Sequence, residues 1–138
     1  MPLTNVTSTP LPRLAPRAPE SHKGDYGRAL LVGGSRGMSG AIALAGMAAL
    51  RGGAGLVTLA VPRTIQDVVA GFNPCYMTRD LADDGERFAP SETDEVLAMA
   101  ETMTALALGP GLGRAEGVTQ FAARIYHEVR QPMVVDAD

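Results

Sequence analysis

The residues that could do chemistry in this chain are gathered at turns. Two of these turns are rich in glycine and follow apolar runs. Leu30-Leu31-Val32-Gly33-Gly34-Ser35 leads through Gly37 to Ser39-Gly40-Ala41, and Ala105-Leu106-Ala107-Leu108 leads into Gly109-Pro110-Gly111-Leu112-Gly113. Such turns expose backbone N–H groups without β-carbon obstruction, and at the positive end of a helix those groups favour an anion or a flat polar ligand. A polar cluster, Lys23-Gly24-Asp25-Tyr26-Gly27, precedes the first run, while Asp136 and Asp138 follow the last one, Met133-Val134-Val135. One glycine turn alone is as well explained by a tight connection. Two on one sheet edge, with the polar cluster beside them, favour a binding site, and Pro110 stiffens the second turn into a preformed wall.

The spacing argues against the familiar nucleotide loops. Gly34, Gly37 and Gly40 are three apart, and Arg114 stands where Gly109, Gly111 and Gly113 would need a further glycine for the dinucleotide fingerprint. A P-loop is excluded because no Gly-Lys-Ser or Gly-Lys-Thr occurs. His22 and His127 are too isolated to read as metal ligands, and no Ser-His-Asp order stands out, so hydrolase and metalloenzyme chemistry find no support. Cys75, beside Pro74 and an apolar segment, is expected to be a small buried hydrophobe.

The elements that must position these turns alternate. Residues 1–20 carry five of the ten prolines and form an extended leader with little structure of its own. A buried strand is expected over 28–32, then a helix over 40–51 with Ser39 as its N-cap and Gly52-Gly53 as its stop. That helix is apolar all round, which requires cover on more than one side. A strand over 56–61 ends at Pro62, a short helix over 63–70 shows Ile65, Val68 and Val69 on one face, and 71–74 turns the chain. A weak strand over 76–78 precedes a charged surface loop over 79–90. Ser91, Thr93 or Asp94 then caps a helix running to about residue 102. A strand over 105–108, a helix over 115–130 with Val118, Phe121, Ile125 and Val129 at helical spacing, and a strand from 133 complete the pattern. Alternation of this kind specifies parallel βαβ crossovers, with ligand loops along one sheet edge. In a continuing strand Asp136 and Asp138 would project to opposite faces.

Composition narrows the class. The chain has 138 residues, 46% of them apolar, enough for one domain with a real core. A net charge of −3 and scattered basic residues give no footprint for nucleic acid. One cysteine allows no internal disulfide, and the start Met1-Pro2-Leu3-Thr4-Asn5 lacks the pattern of a signal peptide, so a cytoplasmic setting is expected. The longest nearly uncharged stretch, 37–50, is too short for a membrane span. Because the sequence stops directly after an expected strand, it reads as the first half of a larger domain.

Taken in order, His22-Lys23-Gly24-Asp25-Tyr26-Gly27-Arg28, Val32-Gly33-Gly34-Ser35 with Ser39-Gly40-Ala41, Arg51-Gly52-Gly53-Ala54-Gly55-Leu56-Val57, Gly109-Pro110-Gly111-Leu112-Gly113 and Val135-Asp136-Ala137-Asp138 form a set. This set resembles the ADP- or ATP-dependent NAD(P)H-hydrate dehydratases of the ribokinase-like superfamily. The resemblance runs from about residue 11 to the end. It implies an α/β fold, the three-layer α/β/α ribokinase-like architecture with a mostly parallel sheet, here about half of the domain over 21–138. It further implies repair of the S epimer of NAD(P)H hydrate: the hydroxyl is phosphorylated by ADP or ATP with Mg2+, and phosphate is then eliminated. Making a poor leaving group into a phosphate is the physical point, with electrostatic positioning doing most of the catalytic work.

By the same resemblance Ala41 and Gly111 contact the hydrated nicotinamide nucleotide. Gly113, Lys23, Tyr26, Ser39 and Asp136 are placed near them. The family's aspartate base is expected beyond Asp138, so no catalytic residue falls within these residues, and the chain alone is expected to be inactive. A homo-oligomer, a tetramer in the family, is implied as well. Two alternatives stay open: a ribokinase-like kinase acting on a vitamin precursor, and a non-catalytic binding or assembly module.

Overall fold

In a computed structural model of the chain, residue 10 and residues 13–85 and 88–136 are described. Five strands form one sheet: β1 (Arg28–Val32), β2 (Leu56–Pro62), β3 (Met77–Leu81), β4 (Ala105–Leu108) and β5 (Met133–Val135). Their order is β3-β2-β1-β4-β5, and every pairing is parallel. The chain therefore starts at the sheet's centre, moves outward to β3, and returns to place β4 against the free side of β1. Four α-helices make the crossovers: α1 (Ser39–Arg51), α2 (Gln66–Phe72), α3 (Thr93–Ala100) and α4 (Glu116–Glu128).

The inner strands β1 and β2 are largely apolar on both faces because helices cover both. On one face Leu31, Val57, Leu59 and Val61 pack with Ile42 of α1, Val69 of α2 and Tyr76. On the other, Leu30, Val32, Leu106 and Leu108 pack with Val96 of α3 and with Val118, Phe121 and Ile125 of α4. Phe88 stacks on Phe121 at a centroid distance of 4.9 Å and closes that second core. These two layers of helices about a parallel sheet are the α/β architecture expected from the alternation.

Several local expectations are corrected. Ser39 is the first residue of α1 and not its cap; Met38 occupies the cap position and makes no side-chain bond to the helix. Leu44 remains 65% exposed, so within this chain α1 has one open side despite its apolar sequence. A 3-10 turn, Arg63–Ile65, precedes α2 and rotates it. Ile65 and Val69 are buried, while Val68 points outward. That helix runs through Phe72, so the expected turn begins later. Cys75 is exposed: its N–H donates to Asn73 Oδ1 in a turn, and the next residue, Tyr76, takes the buried position.

The expected surface loop over 79–90 is in part strand and core. The weak strand expected over 76–78 is the start of β3, and charged Arg79 and Asp80 concealed its continuation at the sheet edge, where charge is the usual protection against pairing. Arg79 meets Glu95 at 3.4 Å and Asp80 meets Arg63 at 2.9 Å, which leaves Leu81 and later Phe88 to fill the core. No side-chain cap opens α3. A 3-10 turn, Pro90–Glu92, leads into it, and the Thr93 hydroxyl donates back to the Pro90 carbonyl at 2.8 Å.

Of the proline leader, residues 13–20 are exposed and carry no helix or strand. Arg17 anchors them, lying 3.9 Å over the Tyr26 ring and donating to the Gly53 carbonyl at 2.9 Å. Residues 1–9 and 11–12 of the leader, and Asp138, lie outside the described residues. No helix among the described residues is long and apolar enough to cross a membrane.

Candidate functional site

Parallel register decides what meets at the carboxyl edge. Val32 is paired with Leu108, so the two glycine turns leave neighbouring strands at the same level. Backbone bonds then join them: Gly109 N–H donates to the Val32 carbonyl at 3.0 Å, and Gly34 N–H to the Pro110 carbonyl at 2.8 Å. This approach leaves no room for side chains. A β-carbon on Gly33 would stand 2.5 Å from the Pro110 carbonyl oxygen. Gly111, at φ +68°, faces the entrance of α1, and a β-carbon there would lie 2.9 Å from the Ala41 β-carbon and 2.7 Å from the Met38 carbonyl oxygen. Ala41 and Gly111, the two residues assigned to the hydrated nicotinamide by resemblance, are thus in contact.

The surroundings of this contact are polar but carry little charge. α1 has no acidic residue in its first turn and no side-chain cap from Met38; Ala41 N–H donates to the Met38 carbonyl at 3.3 Å, while the N–H groups of Ser39 and Gly40 precede the first intrahelical bond. No atom lies within 4 Å of where a β-carbon on Gly37 or Gly40 would sit, so the space over the helix entrance is open. Ser39 begins this helix and Gly113 closes the second turn at φ +78°. Asp136 N–H donates to the Leu108 carbonyl at 2.8 Å, which draws the end of β5 beside Gly109. Asp136 has left the strand, so strand alternation does not set its direction. Together with Gly109, Gly113, Arg114 and Thr119 it lines a cleft of about 330 Å³ that runs between α4 and β5.

Lys23 and Tyr26 are elsewhere. They belong to a 3-10 turn, Lys23–Tyr26, that precedes β1, and the Tyr26 carbonyl accepts Gly55 N–H at 3.0 Å at the amino edge of the sheet. Five strand residues, roughly 16 Å, separate them from the glycine turns. His22 caps their turn: its Nδ1 accepts Gly24 N–H at 3.1 Å, and Asp25 returns the bond to His22 N–H at 2.9 Å. Tyr26 donates its hydroxyl to Ser21 and supports Arg17 on its ring, which gives the motif a structural role here.

Sequence reasoning gave Ser35 no role of its own. It is buried at 2% exposure, and its hydroxyl donates to the Gly111 carbonyl at 2.9 Å. A serine inside a buried glycine turn was the signal that could have found it, since a buried hydroxyl needs a partner. The Arg114 and Thr119 wall of the cleft was also unassigned. The perturbed ionisations lie away from the site. Burial pushes the Tyr76 phenol up, and the Arg63 hydrogen bond holds the Asp80 carboxyl down.

An open parallel sheet with its loops converging beside the central strand defines the class. It is shared with a ribokinase-like superfamily protein from Enterococcus faecalis, at a TM-score of 0.70 and 24% identity over 87% of this chain and 39% of that one. The family model for NAD(P)H-hydrate dehydratase matches residues 29–138, and the chain belongs to that family. It is 43% identical over 129 residues to the bifunctional NAD(P)H-hydrate repair enzyme Nnr of Moorella thermoacetica, a match that covers 93% of this chain and 24% of that protein. The solved ADP/ATP-dependent NAD(P)H-hydrate dehydratase from Bacillus subtilis, co-crystallised with ATP/Mg2+, is 32% identical at a TM-score of 0.70. There the match covers 90% of this chain and 42% of that one. The chain thus spans about a quarter of the length of the curated relatives it matches.

Proposed function

We propose that this chain supplies the substrate wall of a nucleotide-dependent dehydratase that restores NAD(P)H from its S hydrate. The observation that carries this reading is the contact between Ala41 and Gly111, made where two glycine turns lock together at the carboxyl edge. A flat, partly hydrogenated nicotinamide ring needs a close apolar wall with nearby N–H donors. Gly111 and Ala41 offer the wall, and the open first turn of α1 offers the donors. Gly113, Ser39 and Asp136 flank that wall and are proposed to contact the remainder of the nucleotide. Lys23 and Tyr26 would reach such a ligand only from a second subunit, which a homo-oligomeric, cytoplasmic enzyme of this family would supply.

ADP or ATP and Mg2+ complete the chemistry in this reading: phosphoryl transfer makes the hydrate's hydroxyl a leaving group. Among the described residues no three His, Cys, Asp or Glu gather about one point. The chain's own part in this reading is to bind and orient the ring. The general base is proposed to come from outside these residues.

The test is a titration of the 138-residue chain with purified S and R epimers of NADPH hydrate, together with a repair assay containing ADP or ATP and Mg2+. Saturable binding of the S epimer without turnover is expected. Equal indifference to both epimers would refute the reading, and accumulation of a phosphorylated vitamin precursor would favour the kinase instead.

A further inference from the structure

Two polar side chains are buried among the described residues, Ser35 and Thr93. Thr93 is accounted for by the Pro90 carbonyl at the start of α3. Ser35 reaches 76 residues along the chain to the Gly111 carbonyl at 2.9 Å. Its main-chain carbonyl meanwhile accepts Met38 N–H at 2.8 Å, at the entrance of α1. One residue is therefore bonded to both halves of the proposed wall, the second glycine turn and the entrance of α1.

The other links between the glycine turns, Gly34 N–H to Pro110 and Gly109 N–H to Val32, come from the backbone and would persist with any residue at position 35. The hydroxyl is a side-chain link to the Gly111–Leu112 peptide, whose other end is held by Leu112 N–H donating to the Gly109 carbonyl at 2.7 Å. Gly111 has no β-carbon to resist rotation about φ, so only its bonds and neighbours keep its carbonyl turned inward. We propose that Ser35 is a positioning residue for the hydrate. By holding the Gly111 carbonyl it keeps Gly111 packed against Ala41, and so keeps whole the wall on which the nicotinamide ring is proposed to lie. This inference rests on the functional reading above. Because Ser35 is buried behind the turn, it acts on substrate affinity and not on the reacting atoms, so its loss changes binding without a matching change in the rate of chemistry.

Ser35→Ala and Ser35→Thr in the 138-residue chain test this. Amide exchange is followed residue by residue in the free protein, and binding of the S epimer of NADPH hydrate is titrated. For Ser35→Ala, exchange at Gly34 and Leu112 accelerates roughly tenfold, the loss of one buried hydrogen bond, while the central amides of β1 and β2 are unchanged. Its hydrate dissociation constant rises by a similar factor, and Ser35→Thr, which keeps the hydroxyl, stays close to wild type. Unchanged exchange at Gly34 and Leu112, acceleration spread evenly over the sheet, or equal hydrate affinity in wild type and Ser35→Ala would each overturn the inference. Failure of the wild-type chain to bind the hydrate, with the local exchange effect present, would instead refute the functional reading.

Discussion

Gly33→Ala offers a clean measure of how tightly the two turns are locked. The backbone of Gly33 is not in the left-handed region, so alanine there incurs no conformational strain, and its cost is one of contact. Its β-carbon would stand 2.5 Å from the Pro110 carbonyl oxygen and 3.2 Å from the Pro110 nitrogen. A carbon–oxygen contact relaxes at roughly 3.3 Å, so the turn must retreat by about 0.8 Å. Both obstructing atoms are backbone, and the retreat stretches the 2.8 Å bond from Gly34 N–H to that same carbonyl. Losing that bond in a buried turn costs about 1–3 kcal/mol. With a urea m-value near 2 kcal/mol/M, the denaturation midpoint should fall by about 0.5–1.5 M. Gly37→Ala is the control, since no atom lies within 4 Å of its added carbon and only its φ of +85° is strained. Hydrate binding should be lost in Gly33→Ala and kept in Gly37→Ala. A Gly33→Ala midpoint equal to that of wild type would refute the locked-turn geometry.

Phe121→Ala removes the ring stacked on Phe88 and opens a cavity under α4. A loss of about 3–5 kcal/mol is expected by urea denaturation. Tyr76→Phe leaves the Val69 carbonyl without its 2.7 Å donor and should cost about 1 kcal/mol. In the wild type, burial raises the Tyr76 phenol above its ordinary 10.0. The stability it contributes is complete below that pH and lost as pH rises through the folded value, which absorbance titration beside circular dichroism would follow. Asp80 has the opposite sign: its Arg63 hydrogen bond lowers the carboxyl below 3.8. Its contribution is therefore present above that pH and lost as pH falls through the folded value. Asp80→Asn should accordingly show a flatter acid limb in denaturation followed from about pH 5 downward, below 3.8 and through the folded value.

The strands at 28–32 and 105–108 and the helix ending at Arg51 were legible because each is an uninterrupted apolar segment closed by glycine, a purely local signal. The third strand was legible only at its start, as the weak strand expected over 76–78. Arg79 and Asp80 make it polar, and only the sheet order shows that it is an edge, where polarity is compatible with pairing. The burial of Tyr76 in place of Cys75 turned on a single Asn73 turn, which periodicity cannot register to within one residue. Ala41 and Gly111 were paired through resemblance. That they touch follows from β4 lying directly against β1, a tertiary fact that no local pattern contains. The same topology moves Lys23 and Tyr26 away: they are near the glycine turns in sequence but at the other end of β1. Ser35 escaped notice because its partner lies 76 residues away.

The central claim, that the two glycine turns and the start of α1 make one wall for a hydrated nicotinamide, is tested most directly by backbone NMR of the chain titrated with the S epimer of NADPH hydrate. Saturable shifts centred on residues 33–41 and 109–113, with Asp136 beside them, are the predicted result. Shifts at Lys23 and Tyr26 without any at the glycine turns, or no shifts at all, would contradict it.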